Sequence, residues 1–298
     1  MRKLQHLNAH FALAAATMLF GANYWIAKGM MPDYFSPSQI VFLRLTGSVA
    51  LFWLFYAFSV KQKIERRDIY KMILCGLLGV TLNQMFFFHG LALSSPVDVS
   101  IIGVLNPLAV MVFAAIIIHE KVGLLKILGV FTGAAGALII VLYGSNTAFD
   151  SDHVTGNIFI VINTLVYALY MVLMKPLLKK YPTATVMAWV FTFGFAMVIP
   201  FTLHDVLQIQ WQSLPQAAWL SLLYVVAGTT FLAYLLTSIA LKSLDATVVG
   251  FYSYFQPILV VIIGITMYQQ HLTAAKIIAA VMIFAGVYLV NRRPKASA

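Results

Sequence analysis

Six amide and phenol side chains stand inside long apolar runs of the sequence. They are Asn23, Gln84, Asn106, Tyr170, Tyr234 and Gln256. Amides and phenols donate and accept hydrogen bonds, so the chemistry that they favour is the non-covalent binding of a small molecule. Their alternative use in hydrocarbon is a hydrogen bond between helices, worth about 1 kcal/mol. We predict that these six residues line a substrate-binding site.

Four ionisable residues add charge near the same runs. They are Arg44, His89, Asp98 and Glu120. Charged groups within a membrane often pair with a substrate or relay protons, so the sequence predicts a coupling or ion-pair role for these residues. Each has a structural alternative: Asp98 stands near the start of a helix, where the macrodipole favours a carboxylate, Glu120 can pair with Lys121, and Arg44 can extend towards the interface.

The sequence lacks the common motifs of enzymes that make or break covalent bonds. It contains no HExxH, no Gly-x-Ser-x-Gly and no Walker A motif, and its seven histidines do not follow metal-ligand spacing. The single cysteine, Cys75, rules out an intramolecular disulfide and a cysteine-based metal cluster. We therefore expect no enzyme activity, no cofactor and no metal, and no element resembles a channel filter. An intramembrane enzyme or a channel-like facilitator stays the alternative.

The composition defines the scaffold that positions these residues. Of the 298 residues, 62% are hydrophobic and only 9% are charged, whereas soluble domains carry roughly 25% charged residues. The net charge of +10 comes from short basic clusters between apolar runs, which is typical of membrane topology and does not indicate nucleic-acid binding. The composition predicts an all-α integral membrane protein.

Ten apolar segments are long enough to cross a bilayer as helices. Their approximate cores are 9–28, 37–59, 70–92, 97–118, 124–143, 156–175, 183–203, 216–240, 245–268 and 273–291. With the N-terminus inside, sixteen of the nineteen Lys and Arg residues fall on the inner side, Lys28 and Lys276 fall outside, and Arg44 lies within a span. The positive-inside rule then places both termini in the cytoplasm.

The chain also resembles itself at an almost constant offset. Residues 21–48 match 168–195 at an offset of 147, and residues 72–136 match 222–286 at an offset of 150. We predict two five-helix repeats, residues 1–148 and residues 149–298. Because five is odd, the second repeat enters the membrane from the opposite side, which gives an inverted pair.

Two prolines occupy equivalent positions in these repeats. Pro107 follows Asn106, and Pro257 follows Gln256. A proline lacks the N–H that a helix uses one turn back, so we predict a kink in each helix near the middle of the membrane. We assign Pro107 and Pro257 to gating. The alternative is a packing kink whose neighbouring amides bond adjacent helices.

Several of these residues resemble the EamA-type carriers of the drug/metabolite transporter superfamily. The resemblance rests on the stretch Phe20–Trp25, on Arg44, on Gly90–Ser95, on Asn106-Pro107-Leu108 and on Gly129–Gly136. One departure is Gln269-Gln270, where many members carry glutamate, so a role of Glu120 need not be duplicated. The resemblance implies export of small metabolites, often amino acids or drug-like compounds, across the bacterial inner membrane, with the fifth and tenth helices peripheral. The inverted repeats predict that this export occurs by alternating access.

The expected partners follow from this interpretation. They are a small-molecule substrate and the lipid bilayer, with protons as the candidate coupling ion. Nucleic acid is not among them. The sequence leaves open whether the protein is a monomer or a homodimer.

Overall fold

A computed structural model describes residues 2–60, 62–118, 124–143, 150–244, 246–269 and 272–291, and within these ranges all regular structure is helical. The α-helices are α1 Arg2–Gly29, α2 Pro37–Ala57, α3 Arg66–Gly76, α4 Asn83–Leu93, α5 Pro96–Gly103, α6 Asn106–Ile118, α7 Leu124–Tyr143, α8 Ser151–Lys180, α9 Thr183–Val206, α10 Gln216–Leu223, α11 Ala233–Ser243, α12 Ala246–Phe251, α13 Phe255–Tyr268 and α14 Ala274–Asn291. Two π-helical segments join neighbouring α-helices, Leu77–Leu82 between α3 and α4 and Tyr224–Leu232 between α10 and α11.

Seven helical stretches of the described chain are long and apolar enough to cross a membrane. They are Pro37–Ala57, Arg66–Leu93, Pro96–Ile117, Ser151–Lys180, Thr183–Val206, Gln216–Ser243 and Val248–Tyr268. Two further apolar helices are shorter, Ile127–Tyr143 and Ala274–Leu289. The helical, multi-span character predicted from composition is therefore confirmed. The 28-residue helix α1 is more polar than these, and the count of ten spans stays a prediction.

The starts of α2 and α5 follow from local sequence. Ser36 caps α2 by accepting a hydrogen bond from the backbone N–H of Gln39, and the Gln39 side chain accepts one from the Ser36 N–H. Ser95 caps α5 in the same way through the N–H of Asp98. A proline follows each cap, at a position where a helix has no use for an N–H.

The two π-helical segments are stabilised by hydroxyl groups. Ser and Thr hydroxyls donate hydrogen bonds to carbonyl groups in these segments or connect them to a neighbouring helix. In Tyr224–Leu232, Thr230 Oγ1 donates to the Val225 carbonyl at 2.6 Å, and Ser48 Oγ of α2 donates to the Val226 carbonyl at 3.3 Å. Thr81 in the other π segment donates across to the Gly194 carbonyl of α9 at 2.9 Å. Such segments occur frequently at functional sites.

Glycines let α2 and α9 approach these π segments closely. A Cβ atom at Gly47 of α2 would lie 2.5 Å from Val226 Cγ1, and one at Gly194 of α9 would lie 2.4 Å from Val80 Cβ. Gly47 and Gly194 are equivalent at the offset of 147. The same close contact is thus made twice, once by each half of the chain.

Two helices are interrupted just before Pro107 and Pro257. Helix α5 ends at Gly103 and α6 begins at Asn106, while a 3₁₀ turn at Tyr252–Tyr254 separates α12 from α13. Each proline lies near the start of the following helix, where the missing N–H costs no helical hydrogen bond. The backbone therefore changes direction at both positions, and the gating role of the prolines stays a prediction.

Packing between the two halves is reciprocal. Helix α2 packs on α9, α4 packs on α8 as α11 packs on α1, and α6 packs on α8 as α13 packs on α1. Exchanging the helices of the first half for the equivalent helices of the second half leaves this set of contacts unchanged. Large buried side chains fill the shared core, with the Phe52 and Phe191 rings of α2 and α9 4.6 Å apart.

Helices α7 and α14 pack mainly on each other. A Cβ atom at Gly286 would lie 2.5 Å from the Gly129 carbonyl oxygen and 2.6 Å from the Gly133 nitrogen, so this contact requires glycine. Large apolar residues such as Phe131 and Tyr288 are exposed on their outer faces. The pair therefore lies at the edge of the bundle.

Candidate functional site

A cavity of about 120 Å³ lies in the centre of the bundle. Both halves of the chain line it, through α1, α2, α4, the α5–α6 break, α8, α11 and the α12–α13 break. Its polar lining consists of Thr17, Asn23, Tyr24, Arg44, Asn83, Gln84, Asn106, Asn163, Thr164, Tyr167, Tyr234, Thr237, Tyr252 and Gln256. The cavity touches the middle of the 30-residue helix α8, well away from both of its ends.

Five of the six residues predicted to bind substrate line this cavity. They are Asn23, Gln84, Asn106, Tyr234 and Gln256. Tyr170 does not: its ring faces the π segment, where a Cβ atom at Gly79 would lie 2.2 Å from Tyr170 Cδ2. Tyr167, one turn earlier on α8, lines the cavity in its place. Substrate binding by the predicted residues stays a prediction.

A hydrogen-bond network joins the two halves at the cavity wall. Gln84 Nε2 donates to the Tyr234 hydroxyl at 2.6 Å, and that hydroxyl donates to Asn83 Oδ1 at 2.9 Å. Asn163 Nδ2 of α8 donates to the Asn83 carbonyl at 2.7 Å. Gln84 and Tyr234 are equivalent at the offset of 150, so residues that match in the sequence contact each other in the structure.

The π segments orient this network. Asn83 and Gln84 directly follow Leu77–Leu82, and Tyr234 lies two residues after Tyr224–Leu232. A π segment rotates the residues that follow it relative to a regular α-helix. This rotation is a feature that the helical period of the sequence did not predict.

Arg44 is the charged residue of the cavity wall. It is 2% exposed. Its Nε donates to Thr230 Oγ1 at 2.7 Å, and its guanidinium carbon lies 4.7 Å from the centre of the Phe88 ring, a cation–π distance. Thr230 thus contacts one edge of the guanidinium and Phe88 covers one of its faces, at the wall of the cavity.

The amides beside the two prolines have different partners. Gln256 Oε1 accepts a hydrogen bond from the Tyr24 hydroxyl at 2.9 Å. Asn106 Nδ2 lies 3.7 Å from Met171 Sδ, a weak acceptor, and Asn106 Oδ1 is buried without a hydrogen-bond partner among the described residues. An unpaired buried acceptor is costly, so Asn106 is a group to which a ligand donor would bind favourably.

Aromatic rings cover much of the remaining wall. Phe20 and Tyr167 lie 5.9 Å and 6.3 Å from the Tyr234 ring, and Tyr24 lies 5.6 Å from Phe87, all in edge-to-face geometry. These are favourable spacings for ring pairs. The cavity therefore combines hydrogen-bonding groups with apolar faces.

Two of the predicted ionisable residues lie away from the cavity. His89 Nδ1 lies 2.9 Å from the Met85 carbonyl, and its Nε2 lies 3.4 Å from Ser38 Oγ. Asp98 is fully buried and contacts residues of two other helices. Glu120 lies outside the described residues.

Asp98 forms an ion cluster where α5, α8 and α14 begin. One carboxylate oxygen lies 3.0 Å from Lys276 Nζ, and the other lies 2.8 Å from His153 Nε2. Lys276 is 3% exposed, so the cluster is almost inaccessible to water.

At the same end of the bundle, Lys28 donates to the carbonyl oxygens of Leu91, Ala92 and Ser94 at the end of α4. Both lysines that the sequence placed outside thus have partners.

The opposite end of the bundle has a wetter cluster. Lys180 at the end of α8 lies 2.6 Å from Asp68 and 2.7 Å from Glu65, and the Tyr181 hydroxyl donates to Asp68 at 2.8 Å. The side chains of Lys180 and Glu65 are 41% and 65% exposed. Ionic contacts therefore tie the helices together both above and below the cavity.

The geometry allows binding and positioning of a small molecule. Among the described residues, no group of three or more His, Cys, Asp or Glu side chains could hold a metal ion. Tyr24, Asn163, Tyr167 and Tyr252 also line the cavity and were not among the residues predicted to bind substrate. Asn163 could have been predicted from the sequence, because it is an amide within the sixth apolar segment. Tyrosines within apolar segments are too common for residue type alone to identify the ones that line a cavity.

Comparison with known proteins agrees with this arrangement. The model of the EamA-like transporter family matches residues 7–142 and again residues 154–292. The uncharacterized transporter YyaM of Bacillus subtilis is 25% identical over 95% of this chain and 93% of its own length. An uncharacterized transporter of Archaeoglobus fulgidus is 27% identical over 94% of this chain and 96% of its own.

More distant relatives extend the comparison. A WAT1-related protein of Arabidopsis thaliana is 25% identical over 96% of this chain and 79% of its own length. A solved crystal structure superimposes with a TM-score of 0.66, at 20% identity, over 97% of this chain and 99% of that chain. The relatives from Bacillus and Archaeoglobus are named as transporters, and the family match covers both halves. The chain therefore belongs to the EamA-like transporter family, as the sequence resemblance predicted, and is a multi-pass membrane transporter.

Proposed function

We propose that this protein is a secondary active transporter that exports small metabolites, such as amino acids or drug-like compounds, across the bacterial inner membrane by alternating access. The observation that carries the proposal is the central cavity, to which both halves contribute polar side chains. A binding site between two similar halves is the arrangement that alternating access requires. The direction of transport and the membrane follow from the family resemblance.

An inverted pair of five-helix repeats explains how the access would alternate. Reciprocal packing of the halves, paired π segments and paired helix breaks support residues 1–148 and 149–298 as these repeats. Ten spans with both termini in the cytoplasm follow from the loop charges. Two arrangements of similar energy arise when the halves exchange conformations, and each opens the cavity to one side.

Counterflow in liposomes tests transport. The purified protein is reconstituted, loaded with a mixture of unlabelled amino acids and organic acids, and assayed for uptake of each labelled compound. We expect exchange of at least one compound above the level of protein-free liposomes. A repeat with an imposed pH gradient tests coupling to protons. Absence of exchange for every compound, with correctly folded protein in the liposomes, would contradict the proposal.

Paired variants then test the site. The double variant Asn106→Ala/Gln256→Ala removes two lining amides, and we expect flux to fall roughly tenfold or more, since each hydrogen bond to a substrate contributes about 1 kcal/mol. The matched control is Gln210→Ala/Gln212→Ala, which removes two exposed amides outside the bundle. Equal flux in the two double variants would contradict a role of Asn106 and Gln256 in substrate binding.

Two tyrosines on α8 provide a finer test. Tyr167 lines the cavity and Tyr170 lies against Gly79. Tyr167→Phe and Tyr170→Phe each delete one hydroxyl from the same helix, so their effects on folding should be similar. We expect Tyr167→Phe to lower substrate affinity more. The reverse order would favour the role that the sequence predicted for Tyr170.

A further inference from the structure

Arg44 lies in the cavity wall and has no acidic partner among the residues that the structure describes. Among the described residues, the acids are Asp33, Glu65, Asp68, Asp98, Asp150, Asp152 and Asp205, and none of them lines the cavity. A buried cation in the membrane interior is costly unless an anion or several hydrogen bonds compensate it. Asp98 pairs with Lys276 and His153, and Asp68 pairs with Lys71 and Lys180, so both buried carboxylates of the described residues already have cationic partners.

The contacts of Arg44 leave much of the guanidinium free for a ligand. Within the described chain, its hydrogen bond is made by Nε alone, to Thr230, and Phe88 covers one face of the group. Guanidinium carries five N–H donors in a planar fork that matches a carboxylate. Donors held in place at a cavity wall bind an anion with little loss of side-chain freedom.

The equivalent position in the other half separates ligand binding from a role in folding. At the offset of 147, Arg44 corresponds to Phe191, which is fully buried in α9. Helix α9 nevertheless approaches its π segment through Gly194 as α2 approaches its own through Gly47. The helix contact is thus formed with or without a cation, so packing between the helices does not explain why position 44 carries an arginine.

The rest of the wall selects for an organic ion over an inorganic one. Phe20, Phe87 and Tyr167 present apolar ring surface to the cavity. Asn106 Oδ1, which has no partner among the described residues, is available to accept a hydrogen bond from a ligand. A small hydrated anion would leave these surfaces unused. A carboxylate attached to an apolar or aromatic body would contact both the guanidinium and the rings.

We propose that the substrate is an organic anion and that Arg44 binds its carboxylate directly. This inference rests on the proposed transport function for its physiological meaning. The binding claim itself can be tested on purified protein, without any measurement of flux.

Matched pairs of ligands test the charge. Benzoate, phenylacetate, 3-phenylpropionate and butyrate are each compared with the corresponding neutral amide, and benzylamine serves as a cation with the same ring. Affinity is measured from the ligand-dependent rise in melting temperature of the purified protein. We expect at least one carboxylate to bind roughly tenfold or more tightly than its amide. The reason is that a charge-assisted hydrogen bond is roughly twice as strong as a hydrogen bond between neutral groups.

Variants of Arg44 assign the preference to this residue. In Arg44→Gln, the ratio of carboxylate to amide affinity should fall to about one, and in Arg44→Lys it should fall partway, since lysine keeps the charge but not the fork. The control is Lys242→Gln, which removes the same charge from an exposed position. If Arg44→Gln fails to fold, Thr230→Val removes the partner of Nε and should lower the same ratio.

The possible results separate this inference from the transport proposal. A carboxylate preference that depends on Arg44, in a protein without counterflow, would support the inference and contradict the transport proposal. Counterflow of a neutral or cationic compound, with no carboxylate bound more tightly than its amide, would overturn the inference alone. Equal protection by chloride or phosphate would also overturn it, as would Arg44→Gln lowering the melting temperature without changing the affinity ratio.

Discussion

The two halves of the molecule share a backbone design but differ in their charged groups. Both halves have a π segment, a helix broken before a proline, and a glycine at which helices approach closely. At the repeat offsets, however, Arg44 corresponds to Phe191, and Asp98 corresponds to Val248. The shape of the helices is therefore repeated, whereas the buried arginine and the buried aspartate occur only at the first-half positions of these two pairs.

This difference shows which features the architecture needs. Features that occur twice, such as the close approaches at Gly47 and Gly194, are requirements of packing between the halves. Features that occur once are free to serve one substrate or one face of the membrane. Arg44 in the cavity wall and Asp98 in its ion cluster are of the second kind.

The largest expected effect comes from Asp98→Asn. The substitution leaves Lys276 buried beside a neutral amide, and breaking a buried ion pair from one side costs about 3–5 kcal/mol. We expect a large fall in the free energy of unfolding, measured in detergent or lipid nanodiscs. Lys276→Gln added to Asp98→Asn should recover part of it.

The control for this prediction is Asp152→Asn. Asp152 is an exposed acid in the first turn of α8, beside the same cluster. Its substitution should change stability by less than about 1 kcal/mol. Similar losses of stability for the two variants would show that the buried Asp98 cluster contributes no more to stability than an exposed acid does.

An intermediate effect is expected at the two equivalent glycines. In Gly194→Ala the new methyl group meets Val80 Cβ at 2.4 Å and the Gly76 carbonyl at 2.9 Å, whereas in Gly47→Ala it meets a side-chain methyl of Val226. Backbone atoms and Cβ atoms cannot move out of the way by a rotamer change. Gly194→Ala should therefore cost about 1–3 kcal/mol and Gly47→Ala less, as measured by thermal unfolding. The opposite order would show that the two close approaches are not comparable.

The smallest effects separate the amides beside the prolines. Gln256→Ala removes the acceptor of the Tyr24 hydroxyl and should cost about 1 kcal/mol of stability. Asn106→Ala removes an oxygen that has no partner among the described residues, so its stability should be unchanged or slightly higher. Unfolding of the two variants side by side checks this prediction. A loss at Asn106 equal to that at Gln256 would indicate that its oxygen is paired.

Much of the architecture was predictable because it depends on local composition. Long apolar segments predicted the spanning helices, and Ser-Pro pairs mark the starts of α2 and α5. The sequence also singled out Asn106 and Gln256, because each amide is adjacent to a proline within an apolar run. Both lie on the cavity.

The rest depends on contacts between distant parts of the chain. Nothing in the local sequence joins Asp98 to His153 and Lys276, because the three residues start three different helices. Tyr167 and Tyr170 are likewise indistinguishable by residue type. Only the packing of α8 against a π segment assigns one to the cavity and the other to Gly79.

The sequence by itself determined the membrane character of the protein, its family and the residue types available within its helices. The membrane character follows from composition and spacing, because each apolar segment partitions into lipid independently of the others. The family follows from the resemblance of its motifs and from the family match over both halves. Within the described residues, the tertiary structure decided which polar groups meet, which keep an unpaired atom and which cation lies without an acid. Such pairings arise only when helices from both halves pack together, since a hydrogen bond or ion pair is a property of two positions in space.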